Sequence, residues 1–484
     1  MSSPPYRRWE CTASCLISFL ALPLTQKYFP ELLFLFRKGL GIEVFHLHIA
    51  DLVGARKRRI DTLAIGEFAV LRENFHALVN LEKQEPFKTF KQFQSFKSFR
   101  SFRQSFRQAL TGMESSCYSL ADAFVRGLIM QIIDADGHVN DRPYMDEISK
   151  YMPQGNRTEI FPAFDHIHFH YLEGGERRSR TGNVGPKEWV NFLDDVGIDW
   201  TVVYPTAGLA VGRIIAEDWA IAACRAYNNW LYEKFTSKSS RIRGMALIPI
   251  QDTDEAVKEL HRTVRELGMA GAMLPSNGEG IKGHLGSKIY WPIYQEAEKL
   301  GAPLAVHVGA LQHLGMDNIG VYYPVHALGH PFGIMAQAAG MLSYGVFDRF
   351  PKLRVGFLEG GATWVPFFMD RLDRSYPHHL QVDINGEFLP SSQPDVMASE
   401  YFRRHVKAGR IFVGFDCDDR GLGFAVKEAG NEPFLFATDF PHESFDAKHC
   451  RKEIDELLER DDISKADKEA MLATNAKRFY GIER

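Results

Sequence analysis

From Pro186 to its end the chain repeats one pattern, a short apolar run followed by a stretch whose apolar residues recur at helical spacing. The runs fall at 200–204, 244–249, 271–274, 304–308, 354–359, 411–415 and 434–439. The helical stretches fall at 186–195, 213–235, 253–267, 290–300, 333–350, 363–374 and 421–429, and charged helices at 448–460 and 465–479 close the series. Strands separated by whole helices cannot pair as hairpins, so they predict a parallel sheet covered by helices. An eighth strand precedes them, residues 131–138, reading Gln131-Ile-Ile-Asp-Ala-Asp-Gly-His138. Eight strand-helix units in ~350 residues suit a (β/α)8 TIM barrel, an α/β fold. A doubly wound open sheet is the alternative, and the first strand lacks the glycine-rich fingerprint that many such folds carry.

The barrel reading places the chemistry, because catalytic side chains of such barrels come from the C-terminal ends of the strands. Period-two alternation in the first strand puts Ile132, Asp134, Asp136 and His138 on one face. Asp136 and His138 then lie roughly 7 Å apart along the strand, a spacing at which carboxylate and imidazole can share one cation. Strand five ends at His307, strand six at Glu359, and strand eight at Asp439, followed by Pro441 and His442. Asp136, His138, His307 and Asp439 make a mixed nitrogen and oxygen set suited to one divalent metal ion, zinc or manganese, with positions left for water or substrate.

These residues resemble the amidohydrolase-related family, in its aminocarboxymuconate-semialdehyde decarboxylase branch. The resemblance covers residues 131–484 and rests on Asp134-Ala-Asp-Gly-His138, Val306-His-Val-Gly309, Phe357-Leu-Glu-Gly-Gly361, Ala437-Thr-Asp-Phe-Pro-His442 and the ending 475–481. It implies a metal-dependent barrel with two ligands from the first strand, a histidine from the fifth and an aspartate from the eighth, roles that fall on Asp136, His138, His307 and Asp439. The branch implies H-x-H or E-x-H on the first strand, where this chain has D-x-H. It also implies a proton-transferring histidine near the end of strand six, where this chain has Glu359. His330, expected on a loop after strand five, is a candidate to take over that acid-base role, and Glu359 and Asp439 are further catalytic candidates. His442 and Arg178 are candidate substrate contacts.

The implied function is a metal-dependent carboxy-lyase acting on a small carboxylated cyclic or unsaturated substrate. A hydrolase using a metal-activated water needs only the same centre and a base, and a barrel kept as a binding scaffold is the non-enzymatic alternative. Net charge −4 argues against bulk electrostatic binding of nucleic acid. The apolar run at 11–24 is too short to span a membrane. Six scattered cysteines, without knuckle or scaffold spacing, fit a cytoplasmic setting. The expected partner is a small-molecule substrate, and a homo-oligomer is compatible with it.

Residues 1–127 read as an N-terminal extension, disordered or an artefact of the gene start. Between 87 and 107 it has low complexity: Phe87, Phe90, Phe93, Phe96, Phe99 and Phe102 recur every third residue among Lys and Arg. A three-residue step drifts around a helix of 3.6 residues per turn, so no apolar face forms. His46-Leu-His48 in this region is a decoy. The long connection 139–185, with His166, His168, His170 and the basic cluster around Arg178, reads as a lid or binding loop.

Overall fold

The computed structural model describes residues 130–153, 184–379, 396–442 and 446–482. The expectations for residues 1–127, His166, His168, His170 and Arg178 lie outside them.

Eight parallel strands run in sequence order: β1 (Ile133–Val139), β2 (Trp200–Pro205), β3 (Ile242–Leu247), β4 (Gly271–Pro275), β5 (Leu304–His307), β6 (Val355–Phe357), β7 (Ile411–Phe415) and β8 (Phe434–Phe436). Each pairs with the next. Two bonds bring the ends together, Asp439 N–H to the Asp136 carbonyl at 3.0 Å and His138 N–H to the Phe440 carbonyl at 2.7 Å. The sheet is therefore a (β/α)8 barrel drawn closed at the catalytic end of β1. Its strands are buried almost throughout, as strands with helices outside and packed side chains inside must be.

The helices are α1 (Met145–Ile148), α2 (Pro186–Val196), α3 (Glu217–Leu231), α4 (Thr253–Arg265), α5 (Trp291–Leu300), α6 (Tyr322–Ser343), α7 (Val346–Arg349), α8 (Trp364–His379), α9 (Ala398–Lys407), α10 (Leu422–Ala429), α11 (Ala447–Glu459), α12 (Lys465–Glu469) and α13 (Asn475–Tyr480). Several differ from expectation. The stretch 213–235 is a 3₁₀ helix over Ala207–Arg213, then α3, then a π turn over Tyr232–Thr236. α6 begins at Tyr322, not at 333, and runs through Pro331. Proline removes only the one bond its nitrogen would have made to the Ala327 carbonyl, and the helix continues past it. α9 went unread, although Tyr401, Phe402, His405 and Val406 bury one helical face.

β1 corrects the alternation. From Asp134 to Gly137 it spends three residues where β2 spends two, Thr201 to Val203, so the strand carries a bulge. A Cβ on Gly137 would lie 2.7 Å from Asp134 Oδ2 and 2.5 Å from the Trp189 ring, which places the Asp134 carboxylate on the face of Gly137 instead of that of Asp136 and His138. There Asp134 accepts from Thr201 Oγ1 (2.6 Å), Thr438 Oγ1 (2.9 Å) and Thr438 N (2.9 Å), tying β1 to β2 and to the segment after β8. Burial pushes its carboxyl up to about 6 against those bonds.

A polar cluster lies among the outer helices. Tyr401 Oη donates to Asp348 Oδ2 (2.6 Å), and Arg410 donates to His405 Nδ1 (3.0 Å). Arginine cannot accept, so the His405 proton sits on Nε2, 3.8 Å from Asp348 Oδ1. Burial, with help from Arg410 and Arg404 against Asp348, lowers this imidazole to about 4. The unfolded chain takes up a proton below its ordinary value of 6.5 and the folded chain does not, so stability is lost as pH falls through that window. The loss grows to about 3 kcal/mol near pH 4. Unfolding midpoints measured between pH 7 and pH 4 are expected to fall more steeply for the parent than for His405→Gln, and parallel curves would refute this account.

Candidate metal centre and active site

The side chains at the catalytic end converge. Asp136 and His138 come from β1 and His307 from the last position of β5, and all three are essentially without solvent exposure. Glu359 lies two residues beyond β6 and Asp439 three beyond β8. Both were expected inside their strands; both instead hold left-handed backbone, φ 62° and 57°, which no strand contains. A non-glycine residue there costs about 1–2 kcal/mol, and such costs cluster at functional sites.

The imidazoles are oriented by their backbone partners. His138 Nδ1 lies 2.9 Å from the Pro205 carbonyl and His307 Nδ1 2.9 Å from the Val308 carbonyl. A carbonyl only accepts, so each Nδ1 carries a proton and each Nε2 turns inward, toward the carboxylates. His138 Nε2 then faces Asp439 Oδ1 at 3.1 Å and Asp136 Oδ1 at 3.6 Å, and His307 Nε2 faces Asp136 Oδ2 at 3.6 Å. Carboxylate oxygens and imidazole nitrogens gathered at these distances need positive charge among them, a proton or a metal ion. Both Asp136 oxygens, both Nε2 atoms, Glu359 Oε2 and Asp439 Oδ1 are buried without a hydrogen-bond partner. Buried polar atoms are rarely left so, and six converging donors of this kind fit a divalent ion. Two groups of ligand atoms lie within 4.8 Å of one another: Asp136, His138 and His307, and His138, Glu359, Asp439 and His442.

Electrostatics agree. Burial alone would lower the His307 imidazole, but Glu359 and Asp136 outweigh it and hold it up to about 10, so that without an ion the ring keeps a second proton on the side where a cation would sit. Burial lowers His138. Burial pushes Glu359 well above the usual carboxylate range, with Asp439 and Asp136 adding to it against His307. Negative charge is thus in excess where a cation would sit.

His330 reaches the site, but from α6 and not from a loop. Its Nδ1 is 2.6 Å from the His326 carbonyl one helical turn back, and its Nε2 is 3.6 Å from Glu359 Oε2. Burial first, then His326, lowers it to about 4, so the ring is neutral. His442 stacks on His138 with centroids 3.9 Å apart, pairs through Nε2 with Thr206 Oγ1 (2.8 Å), and lies 3.7 Å from Asp439 and 3.9 Å from Glu359.

The sequence reading missed three contributors. Asp416 follows the apolar run of β7 directly, the same strand-end signal that marked the others. Its carboxyl is pushed up to about 8 by burial, then by Asp439, Asp419, Asp418 and Asp136. The residue is exposed, so repulsion by these neighbours and not burial is the cause that stands. Asp141 holds the Ala207 and Gly208 amides (2.6 and 2.9 Å), joining the loops after β1 and β2. Trp189 Nε1 donates to the His138 carbonyl (3.1 Å), supporting β1 from α2.

Fold and site together define a (β/α)8 barrel with candidate metal donors at the ends of β1, β5, β6 and β8. The profile of the amidohydrolase family matches residues 133–482, and the chain belongs to that family. It is 26% identical to a 2-amino-3-carboxymuconate-6-semialdehyde decarboxylase of Dictyostelium discoideum over 291 residues, 60% of this chain and 74% of the relative. It is 25% identical to a gamma-resorcylate decarboxylase of a Polaromonas species over 317 residues, 64% of this chain and 91% of the relative. Among solved structures, a 5-carboxyvanillate decarboxylase from Novosphingobium aromaticivorans with manganese and 4-hydroxy-3-methoxy-5-nitrobenzoic acid superposes with TM-score 0.56 at 18% identity, covering 72% of this chain and 96% of that one. A Polaromonas dihydroxybenzoic acid decarboxylase with manganese and 2-nitroresorcinol gives 0.53 at 20% identity, covering 74% and 98%. Those structures confirm the barrel. Among the described residues no helix is long and apolar enough to cross a membrane.

Proposed function

We propose that this protein is a metal-dependent carboxy-lyase that removes carbon dioxide from a small aromatic or unsaturated carboxylic acid. The observation that carries the proposal is that both Asp136 oxygens, the Nε2 atoms of His138 and His307, and Asp439 Oδ1 are buried without a hydrogen-bond partner, in two overlapping groups that share His138, in a chain whose relatives over the same residues are decarboxylases. Asp136, His138, His307 and Asp439 are the proposed ligands. Two imidazoles and two carboxylates without a thiolate suit manganese as well as zinc, and manganese is the metal in the similar structures, so it is the first to test. When bound, the ion supplies positive charge that orients the substrate's oxygens and offsets the charge that develops as the bond breaks.

The protein's own groups then handle the proton. The bond between the substrate carbon and its carboxylate breaks, the electron pair stays on that carbon, carbon dioxide leaves, and a proton takes the vacated position. Glu359 is the proposed donor, since its buried carboxyl favours the protonated form. His330 stands behind it with an unprotonated Nε2 toward Oε2, placed to take up a proton from solvent and relay it to Glu359. His442 and Arg178 are the proposed contacts for the substrate's polar groups. A cytoplasmic setting is part of the proposal, supported by the free buried thiols of Cys224, Cys417 and Cys450.

The test is a panel of hydroxylated aromatic and unsaturated carboxylic acids assayed for carbon dioxide, beside esters, amides and lactones assayed for acid release, with manganese-loaded and zinc-loaded protein. Carbon dioxide is expected from at least one acid, with His330→Ala lowering kcat by about 10²–10⁴. Turnover confined to the esters, amides or lactones, with His330→Ala harmless, would establish a hydrolase instead. No turnover of either group would put the binding scaffold in its place.

A further inference from the structure

Two buried tyrosines lie under the metal centre with no part in the chemistry proposed above. Tyr204, on β2 opposite His138, has no solvent exposure, and Tyr480, at the end of α13, has 4%. Tyr480 Oη donates to the Ala135 carbonyl at 2.6 Å, and the two hydroxyls lie 2.9 Å apart. With its proton spent on the carbonyl, Tyr480 can only accept, so Tyr204 donates to it. The chain of bonds has one direction: Tyr204 to Tyr480 to Ala135.

Its end point falls inside the β1 bulge, between Asp134 and Gly137. The Ala135 carbonyl belongs to the peptide that carries Asp136, and the nitrogen of that peptide is held from the other side by Asp134 Oδ1 at 3.3 Å. Neither Asp136 carboxylate oxygen has a hydrogen-bond partner. The aim of that ligand is therefore set by its backbone, and Tyr480 holds the backbone. The Tyr204 ring packs on both ligand imidazoles, centroids 6.2 Å from His138 and 5.5 Å from His307. α13 is well seated: Asn475 Nδ2 donates to the carbonyls of Asn431 (2.8 Å) and Phe434 (2.9 Å), and the Phe479 ring fills the space a Cβ on Gly356 would take.

We propose that Tyr480 and Tyr204 are positioning residues for the metal centre, so that α13 sets the affinity of a site whose first ligand lies beside a carbonyl 345 residues earlier in the chain. The inference rests on Asp136, His138 and His307 being metal ligands. Groups that orient metal ligands are typically worth 10–100-fold in affinity.

The experiment uses the full chain and reads binding apart from turnover. Manganese and zinc affinities of Tyr480→Phe and Tyr204→Phe are measured by competition with a chromophoric chelator. The visible spectrum of the cobalt(II)-loaded protein reports ligand geometry, and thermal unfolding of metal-free protein reports stability. Tyr480→Phe is expected to bind about 10–100-fold more weakly with an altered cobalt spectrum. Tyr204→Phe keeps the Tyr480–Ala135 bond and is expected to lose about two- to tenfold. Phe479→Leu, a packing change in the same helix, is expected to lower the unfolding midpoint and leave the affinity within twofold of the parent. Should Tyr480→Phe fail to fold, Tyr204→Phe decides alone. Parent affinity and an unchanged cobalt spectrum in the tyrosine variants, whatever their unfolding midpoints, would overturn the proposal. A parent chain that takes up no metal would overturn the site assignment beneath it, which is a different result.

Discussion

His307→Ala is expected to lose bound metal and turnover together. The side chain is fully buried, its Nδ1 is committed to the Val308 carbonyl, and its Nε2 is one of the six unpartnered donors. No other residue on β5 can replace it, because a strand only four residues long ends there. A bound cation typically supplies several kcal/mol to a reaction of this kind, so its loss costs about a thousandfold in rate or more. Metal content after dialysis, kcat/KM and the unfolding midpoint with and without metal are the three readings. Ligand at about 100 times its dissociation constant stabilises a folded protein by about 2.7 kcal/mol, and the variant should lose most of that increment. His261→Ala is the control, since that histidine is exposed on α4 and pairs only with Glu296 among the contacts seen. Full occupancy in His307→Ala would remove the residue from the ligand set.

The barrel was legible because its signal is periodic and local. Each strand is a short apolar run and each helix a longer stretch with its own spacing, so topology followed from counting. The strand-end rule also picked out Asp136, His138, His307, Glu359 and Asp439 as neighbours, because side chains at the C-terminal ends of a barrel's strands face one shared mouth. Local pattern failed where the backbone left its period. The bulge in β1 moves Asp134 to another face while sparing the relation of Asp136 to His138. Pro331 looks like a helix start but lies within α6, and that changes where His330 comes from. Contacts such as Tyr204 to Tyr480, 276 residues apart, carry no local signature at all. Asp416 was legible and went unread, for it obeys the rule that found its neighbours.

Glu359 offers the sharpest separation of stability from function. Its backbone lies at φ 62°, a region glycine enters freely and glutamate does not, and Gly360 and Gly361 follow it. Its buried carboxylate points Oε2 at His307 Nδ1 (3.3 Å) and His330 Nε2 (3.6 Å) without a hydrogen-bond partner. A residue strained in its backbone and unsatisfied in its side chain destabilises the fold at both ends, and such positions persist where the side chain serves the chemistry. Glu359→Gly is therefore expected to raise the stability of metal-free protein above that of Glu359→Ala by about 1 kcal/mol, roughly 2 °C in midpoint. Both are expected to lose about 10²–10⁴ in kcat, as removal of a proton donor does. Glu359→Gln keeps the shape and the strain and should match alanine in activity without gaining stability. Thermal unfolding of the three metal-free variants and their turnover of an identified substrate supply the comparison. A glycine variant no more stable than alanine would show that the left-handed backbone carries no cost here, and undiminished turnover in Glu359→Gln would move the proton to His330 or another donor.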